Sequence, residues 1–123
     1  FDAAQLSDGT LHIFGLLLTL YQSPSPDVIV IEEPEHYVHP AMLALLAECI
    51  GEVSELTQII LTTHSPYLVG LFKPEQIRAV LSINGKTHIA PIKDSQMTAI
   101  KNGWMRLEEF MSAEGLYPEL HDD

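Results

Sequence analysis

The chain has 123 residues, of which 46% are hydrophobic and 19% are charged, and its formal net charge is −11. This size suits one domain with a single core, and the composition excludes a disordered, collagen-like or coiled-coil chain. The longest apolar run, residues 13–18, is far shorter than the ~18 residues that span a membrane, and no basic segment marks a signal peptide. The single cysteine, Cys49, cannot form an internal disulfide, so we expect a cytoplasmic protein.

The charge is divided unevenly along the chain. Residues 1–72 hold nine acidic residues and no Lys or Arg, whereas all six basic residues lie in residues 73–123. A surface that binds nucleic acid normally has clustered basic side chains, and these six are scattered. We therefore expect DNA binding, if any, to come from other parts of the protein.

The first predicted elements are an apolar helix and a buried strand. Residues 11–21 carry apolar side chains nearly all round, which predicts a helix that is buried on all sides. Pro24 and Pro26 end this helix. Residues 28–31 are four β-branched residues in a row, and this pattern without alternation predicts a parallel strand covered on both faces.

A second helix and a second strand follow. Pro40 suits the first turn of a helix, and the apolar side chains that recur after it are Met42, Leu45, Leu46, Cys49, Ile50 and Val53. Residues 58–62 form the second buried strand, and Ser65 with Pro66 begins a short helix toward Phe72. The order predicts an α/β fold with a βαβα core and a parallel sheet.

The remaining residues predict a hairpin and two short helices. Asn84 and Gly85 form a typical hairpin turn between strands at residues 77–83 and 86–92, which we expect to end the parallel sheet. Helices are predicted at residues 97–102 and 104–111, followed by a polar tail from Gly115.

Three polar clusters lie where a parallel α/β sheet usually holds its site. Glu32, Glu33 and Glu35 follow the first strand directly. Adjacent carboxylates that leave a strand point to opposite sides, so one can bind a hard cation while the other faces a reacting water. His64 follows the second strand and should lie within reach of this acidic pair, although such a histidine often serves only as a cap.

The third cluster, residues 6–10, opens the first helix. Free amides at a helix N-terminus can bind an anion, although the same residues also suit an N-cap without any ligand. The three clusters occur in an order that resembles the C-terminal half of an ATP-binding-cassette ATPase head, a P-loop NTPase fold. The likeness is greatest to the soluble AAA-type ATPases akin to RecF, the structural-maintenance-of-chromosomes proteins and the OLD nucleases. Residues 6–10 match the signature motif, 28–33 the Walker B strand, 35–39 the D-loop and 63–65 the switch-histidine loop.

The resemblance implies roles for the residues at the two strand ends. Glu33 matches the general base that orients the attacking water, and His64 matches the residue that contacts the γ-phosphate. Glu32 stands where the family usually has the Asp that associates with Mg²⁺, so its longer carboxylate could reach the metal through water. His39 occupies a D-loop position that is usually Asp, which leaves the communication role of that loop open.

The resemblance also implies a contact with a second head. Ser7 and Gly9 match the signature that binds the γ-phosphate of nucleotide held by the opposite subunit. Asp8 replaces the commoner Gly, and Thr10 replaces the commoner Gln. ATP and Mg²⁺ are therefore the implied cofactors, and a homodimer of heads is the implied assembly.

Half of an ATP site is missing from these residues. No Gly-x-x-x-x-Gly-Lys-[Ser/Thr] loop occurs, so the lysine and amides that hold the phosphates must come from elsewhere. Because the sequence opens on Phe1, we expect an N-terminal lobe upstream, with residues 1–92 as the C-terminal lobe and 93–123 as a helical extension. Alone, this chain should bind ATP weakly or not at all and lack ATPase activity.

Two other functions are compatible with the sequence. A metal-dependent hydrolase could use the carboxylates and imidazoles near the first strand, namely Glu32, Glu33, Glu35, His36, His39 and His64. A non-catalytic interaction module is favoured by the missing phosphate loop. Serine hydrolysis has little support, because no Gly-x-Ser-x-Gly elbow occurs.

Overall fold

The computed structural model describes residues 8–36 and 38–121. Its elements in chain order are α1 (Asp8–Leu20), β1 (Val28–Glu32), α2 (Pro40–Val53), β2 (Gln58–Thr62), α3 (Pro66–Val69), a 3₁₀ turn (Pro74–Gln76), β3 (Arg78–Ile83), β4 (Lys86–Pro91), α4 (Asp94–Lys101) and α5 (Leu107–Ala113). Among the described residues, no helix combines the length and apolar character that crossing a membrane requires.

The chain divides into two compact units, Phe1–Leu68 and Val69–Asp123. The first unit contains a parallel strand pair with helices, so the predicted α/β class is confirmed. The second unit contains a hairpin and the C-terminal helices. The predicted lobe boundary after residue 92 stays a prediction.

The two strands of the first unit pair in parallel and in register. Val28 lies opposite Gln58, and Glu32 lies opposite Thr62, so both strands end at the same edge. The buried Thr57 hydroxyl donates to the Pro26 carbonyl at 2.9 Å, which fixes the start of the pair. Residues that follow the two strands must therefore emerge side by side.

Only one face of β1 is covered in the described structure. Ile29 and Ile31 are buried, whereas Val28 and Val30 are exposed, and Ile60 of β2 is exposed as well. The prediction of a strand covered on both faces is therefore wrong for the described residues. Their packing covers one side of this two-stranded sheet, although the sequence of β1 suits burial on both.

Helix α1 differs from its prediction in the same way. Ile13 and Leu20 are buried and α1 packs on α2, but its other face is open. The large apolar side chains exposed there are Leu11, Phe14 and Leu18, with Tyr21 just beyond the helix. The prediction of a helix buried on all sides is wrong, because in the described residues this face lacks an apolar partner.

Helix α2 is amphipathic, as its sequence predicts, but its buried stripe is shifted. The buried residues are Leu43, Leu46 and Ile50. Met42 and Leu45, which we predicted on the apolar face, are exposed. The period of the apolar residues identified the helix correctly, but its many apolar positions left the direction of the buried face ambiguous.

The hairpin in the second unit forms a sheet of its own. β3 and β4 pair antiparallel around Asn84 and Gly85, whose positive φ angles of 51° and 77° fit a two-residue type I′ turn. In the described part of the chain, β3 and β4 pair with each other and not with β1 or β2. The expectation that the hairpin ends the parallel sheet is therefore wrong.

The C-terminal segment is held in place and does not form the predicted polar tail. Gln96 in α4 is buried, and its side-chain amide donates to the Gly115 carbonyl at 2.8 Å. Its amide oxygen accepts from the Tyr117 backbone N–H at 2.9 Å, and Ile92 pairs with Pro118. One buried amide side chain thus satisfies both a donor and an acceptor of the terminal segment.

We predict that Leu46→Ala lowers the free energy of unfolding of the first unit by about 3 kcal/mol. Only 1% of this α2 side chain is exposed, so its truncation leaves a cavity in the core. Urea denaturation of the 123-residue chain measures the effect.

The matched control is Leu56→Ala, because this leucine is 85% exposed and loses no packing when it is truncated. Its effect should stay below about 0.5 kcal/mol. Equal destabilisation by the two substitutions would contradict the assignment of Leu46 to the core.

Candidate functional site

The polar residues that follow β1 and β2 meet at one edge of the parallel pair. The Glu33 backbone N–H donates to the Thr62 carbonyl at 2.8 Å, which extends the strand pairing by one bond. Glu33 also has a positive φ of 44°, in the left-handed region that non-glycine residues rarely adopt. This turn of the backbone directs the chain out of the strand and into the acidic loop.

The Glu33 carboxylate faces the histidine from the neighbouring strand end. His64 Nε2 lies 3.1 Å from Glu33 Oε1. The His64 side chain is nonetheless 87% exposed, and that of Glu33 is 40% exposed. A polar contact this accessible to water adds little to stability, so the histidine can leave the carboxylate for another partner at small cost.

A tight turn brings a second histidine to the same carboxylate. The Glu33 carbonyl accepts from the His36 backbone N–H at 3.3 Å, and the buried Pro34 occupies the second position of the turn, which suits proline. The turn places His36 Nε2 3.2 Å from Glu33 Oε2. Each oxygen of the Glu33 carboxylate thus faces a different imidazole.

Glu35 joins the two loops that form the site. Its Oε1 accepts from the His64 backbone N–H at 2.9 Å. Partial burial opposes ionisation of Glu35, but the hydrogen bond from the His64 amide, followed by smaller effects of the Glu35 backbone, Thr63 and His36, outweighs it, so the pKa of Glu35 lies below its ordinary value. A charged Glu35 therefore holds the backbone of the histidine whose side chain contacts Glu33.

The loop that carries His64 is also fixed by its own hydroxyl groups. Thr63 Oγ1 accepts from the Ser65 N–H at 2.9 Å, and Ser65 Oγ accepts from the Leu68 N–H at 3.1 Å. The second bond caps α3, as predicted from Ser65 and Pro66. The His64 backbone is therefore held while its side chain remains exposed.

Glu32 is the last residue of β1, and its side chain is exposed. Its carboxylate has no hydrogen-bond or ion-pair partner among residues 8–36 and 38–121. Within those residues, no side chain competes with a cation for it. A single carboxylate fits Mg²⁺, which commonly binds one or two carboxylates together with phosphate oxygens and water.

The signature segment is described in part. Asp8, Gly9 and Thr10 form the first turn of α1, as predicted, while Ser7 lies outside the described residues. Asp8 and Thr10 are exposed. Their location in the first turn places them at the positive end of the dipole of α1.

The set of ligands that we considered for a metal-dependent hydrolase is not assembled. His39 Nδ1 accepts from the Ala41 N–H at 3.1 Å and thereby caps α2. In the described ranges, no group of three or more His, Cys, Asp or Glu side chains is arranged to bind a metal ion. The geometry therefore gives this alternative no support.

Sequence reasoning missed two of the contacts in this site. The family resemblance matched Glu35 and His36 to the D-loop without a contact in the site, but Glu35 accepts from the His64 backbone N–H and His36 faces Glu33. A signal was present for His36, because a proline directly after Glu33 favours a tight turn that returns the side chain at i+3. No sequence signal indicates the hydrogen bond that Glu35 accepts from the His64 N–H, because this bond depends on the pairing of two strands that are distant in sequence.

The described residues thus form an α/β domain in which an acidic residue and a histidine meet at the ends of paired parallel strands. Residues 1–70 match the family model described as "AAA domain, putative AbiEii toxin, Type IV TA system". This match covers more than half of the chain, so the chain belongs to that AAA-domain family. The predicted resemblance to AAA-type ATPases is confirmed. No curated protein matches the sequence.

Five solved chains match the structure. One comes from work described as "Structural biochemistry of ATP-driven dimerization and DNA stimulated activation of SMC ATPases". It has a TM-score of 0.61 and 14% sequence identity, and the match covers 82% of this chain. At that identity the likeness concerns the fold alone. The chain spans 63% of the length of that structure.

We predict that Glu35→Gln makes the unfolding free energy less sensitive to acid. The lowered pKa of Glu35 means that its charge stabilises the fold above the ordinary value of 4.5. That stabilisation is lost as the pH falls through the lower folded-state pKa. Urea denaturation between neutral and acidic pH should show that wild type loses more stability than the variant.

The control for this comparison is Glu55→Gln, which removes an exposed carboxylate after α2 and should follow the wild-type pH dependence. If acidification destabilises the Glu35 variant as much as wild type, the bond to the His64 amide does not depend on the charge.

Proposed function

We propose that this chain forms the C-terminal lobe of an ATPase head that hydrolyses ATP when it is complete. The observation that carries the proposal is the 3.1 Å approach of His64 to the Glu33 carboxylate at the ends of adjacent parallel strands. The two residues lie together, as required of a general base and a histidine that contacts the γ-phosphate. The complete head here means the full-length protein that contains this chain and the proposed N-terminal lobe.

Glu33 acts as the general base in this proposal. A water that donates a hydrogen bond to its carboxylate would attack the γ-phosphorus, and the water's proton would pass to Glu33. The bond from the γ-phosphorus to the bridging oxygen would break, leaving its electron pair on ADP. His64 would donate from Nε2 to a γ-phosphate oxygen, which its exposed side chain can reach by leaving Glu33.

Glu32 is the residue that we propose for Mg²⁺, because its exposed carboxylate has no competing partner in the described structure. When bound, Mg²⁺ would supply positive charge beside the phosphate oxygens. Glu32 would hold that ion directly or through water, since its side chain is one methylene longer than the usual Asp.

The proposed N-terminal lobe is supported by charge and by exposed apolar surface. Residues 1–72 contain no Lys or Arg and cannot balance a triphosphate by themselves. Val30 of β1, Ile60 of β2 and Phe14 of α1 are 61%, 48% and 59% exposed. A parallel sheet is normally covered on both faces. A lobe that carries the phosphate-binding loop would supply both the cation and the apolar cover.

The proposed assembly is a homodimer of heads with nucleotide between them. Its support is the location of Asp8, Gly9 and Thr10 in the first turn of α1, because the positive end of a helix dipole favours an anion. Ser7 would donate to the γ-phosphate held by the opposite head. The solved structure with this fold is described in terms of ATP-driven dimerization, which agrees with such an assembly.

We predict that Glu33→Gln and Glu32→Gln have different effects in the complete head. Glu33→Gln should keep nucleotide and Mg²⁺ but reduce hydrolysis at least ~100-fold, because the base is lost. The ATP-bound dimer should then accumulate. Glu32→Gln should weaken the retention of metal and nucleotide together. Turnover, bound nucleotide and oligomeric state are measured for both variants.

Glu55→Gln is the control in this experiment as well, since its exposed carboxylate lies after α2 and outside the site. Identical behaviour of the two site variants would contradict the division of roles between Glu32 and Glu33. A loss of metal in both, without any nucleotide-dependent change of assembly, would favour a metal-dependent hydrolase.

We predict that Ser7→Arg in the complete head leaves nucleotide binding intact but prevents ATP-driven dimerisation. The bulk and charge of arginine would replace a small hydroxyl donor at the residue that directly precedes α1 in the sequence. Size-exclusion chromatography with and without ATP measures the assembly. A dimer that forms with ATP as in wild type would overturn the signature assignment.

A further inference from the structure

His36 contacts the proposed general base on the side opposite to His64. Its Nε2 lies 3.2 Å from Glu33 Oε2, while His64 Nε2 lies 3.1 Å from Oε1. The roles proposed above account for His64 and leave this second imidazole without one. A carboxylate that faces two imidazoles is restrained at both oxygens.

The two histidines reach Glu33 by different routes. His64 comes from the loop after β2, so its contact depends on the pairing of two strands. His36 comes from the tight turn that Glu33 itself begins, with the buried Pro34 inside it. The contact from His36 therefore belongs to the local chain, and it can persist when the His64 side chain turns toward a ligand.

Because His64 and His36 face different oxygens of the Glu33 carboxylate, one oxygen can change its partner while the other keeps its own. A carboxylate oxygen accepts hydrogen bonds, so the position that His64 occupies at Oε1 becomes available to a water once His64 leaves it. A donor that stays on Oε2 then prevents the carboxylate from rotating away from that water. Positioning of this kind lowers a barrier without touching the reacting atoms.

We propose that His36 is a positioning residue for Glu33, which holds Oε2 while His64 exchanges Oε1 for a phosphate oxygen of the nucleotide. The proposal rests on the ATPase function proposed above. The side chain of His36 is 58% exposed, so the pair contributes little to folding. Replacing His36 should therefore change catalysis and leave the fold intact.

The test measures steady-state ATP hydrolysis by the complete head carrying His36→Ala or His36→Gln. His36→Ala should lower kcat about tenfold, the effect of losing one polar contact with the carboxylate. KM should change by less than about twofold, because the substrate is not contacted. His36→Gln should retain most of the activity, since its amide nitrogen can occupy the place of Nε2.

Two further variants complete the experiment. His121→Ala removes an exposed imidazole far along the sequence and should behave as wild type. The double variant His36→Ala with Glu33→Gln should be no slower than Glu33→Gln alone, because His36 acts through the carboxylate. This lack of additivity is a result that a purely structural role would not give.

The outcomes separate this inference from the proposed function. If Glu33→Gln hydrolyses ATP at the wild-type rate, both the function and the role of His36 are wrong. If Glu33→Gln is inactive and His36→Ala is as fast as wild type, only the role of His36 is wrong. Equal losses in His36→Ala and His36→Gln, or a further loss in the double variant, would also overturn it.

Discussion

The parallel, in-register pairing of β1 with β2 is the constraint on which the site depends. Glu32 lies opposite Thr62, and the next amide along the chain, that of Glu33, still donates to the Thr62 carbonyl. A shift of one residue would turn every side chain of a strand to the other face. The backbone hydrogen bonds between β1 and β2, which precede both residues in the sequence, thus determine how closely Glu33 and His64 approach each other.

The loops that follow β1 and β2 also bring negative charges close together. Glu33 and Glu35 lie within three residues of each other, and both contact His64, one through its side chain and one through its backbone. Amide donors and imidazoles replace Lys and Arg, which are absent from residues 1–72. The site therefore reduces its own repulsion by hydrogen bonding and leaves the neutralisation of a nucleotide to groups outside this half.

The sequence predicted local structure better than burial. The proline at the start of α2, the β-branched run of β1 and the Asn84–Gly85 turn each specify their own neighbourhood, and the elements occur where these signals place them. Whether one face of a helix or strand is buried depends on which other elements pack against it, so the exposed sides of α1 and β1 were predicted wrongly. The same limit applies to Glu35 and Gln96, whose partners are distant in sequence and become neighbours only after the chain has folded.

At Glu33, the backbone conformation favours glycine, whereas the proposed function requires a carboxylate. A left-handed backbone costs a side chain other than glycine about 1–2 kcal/mol, and the following proline further restricts the residue before it. Glycine would relieve this cost and would remove the carboxylate in the same substitution. Glutamate at this position therefore keeps the carboxylate at the edge of the sheet at a cost in backbone energy.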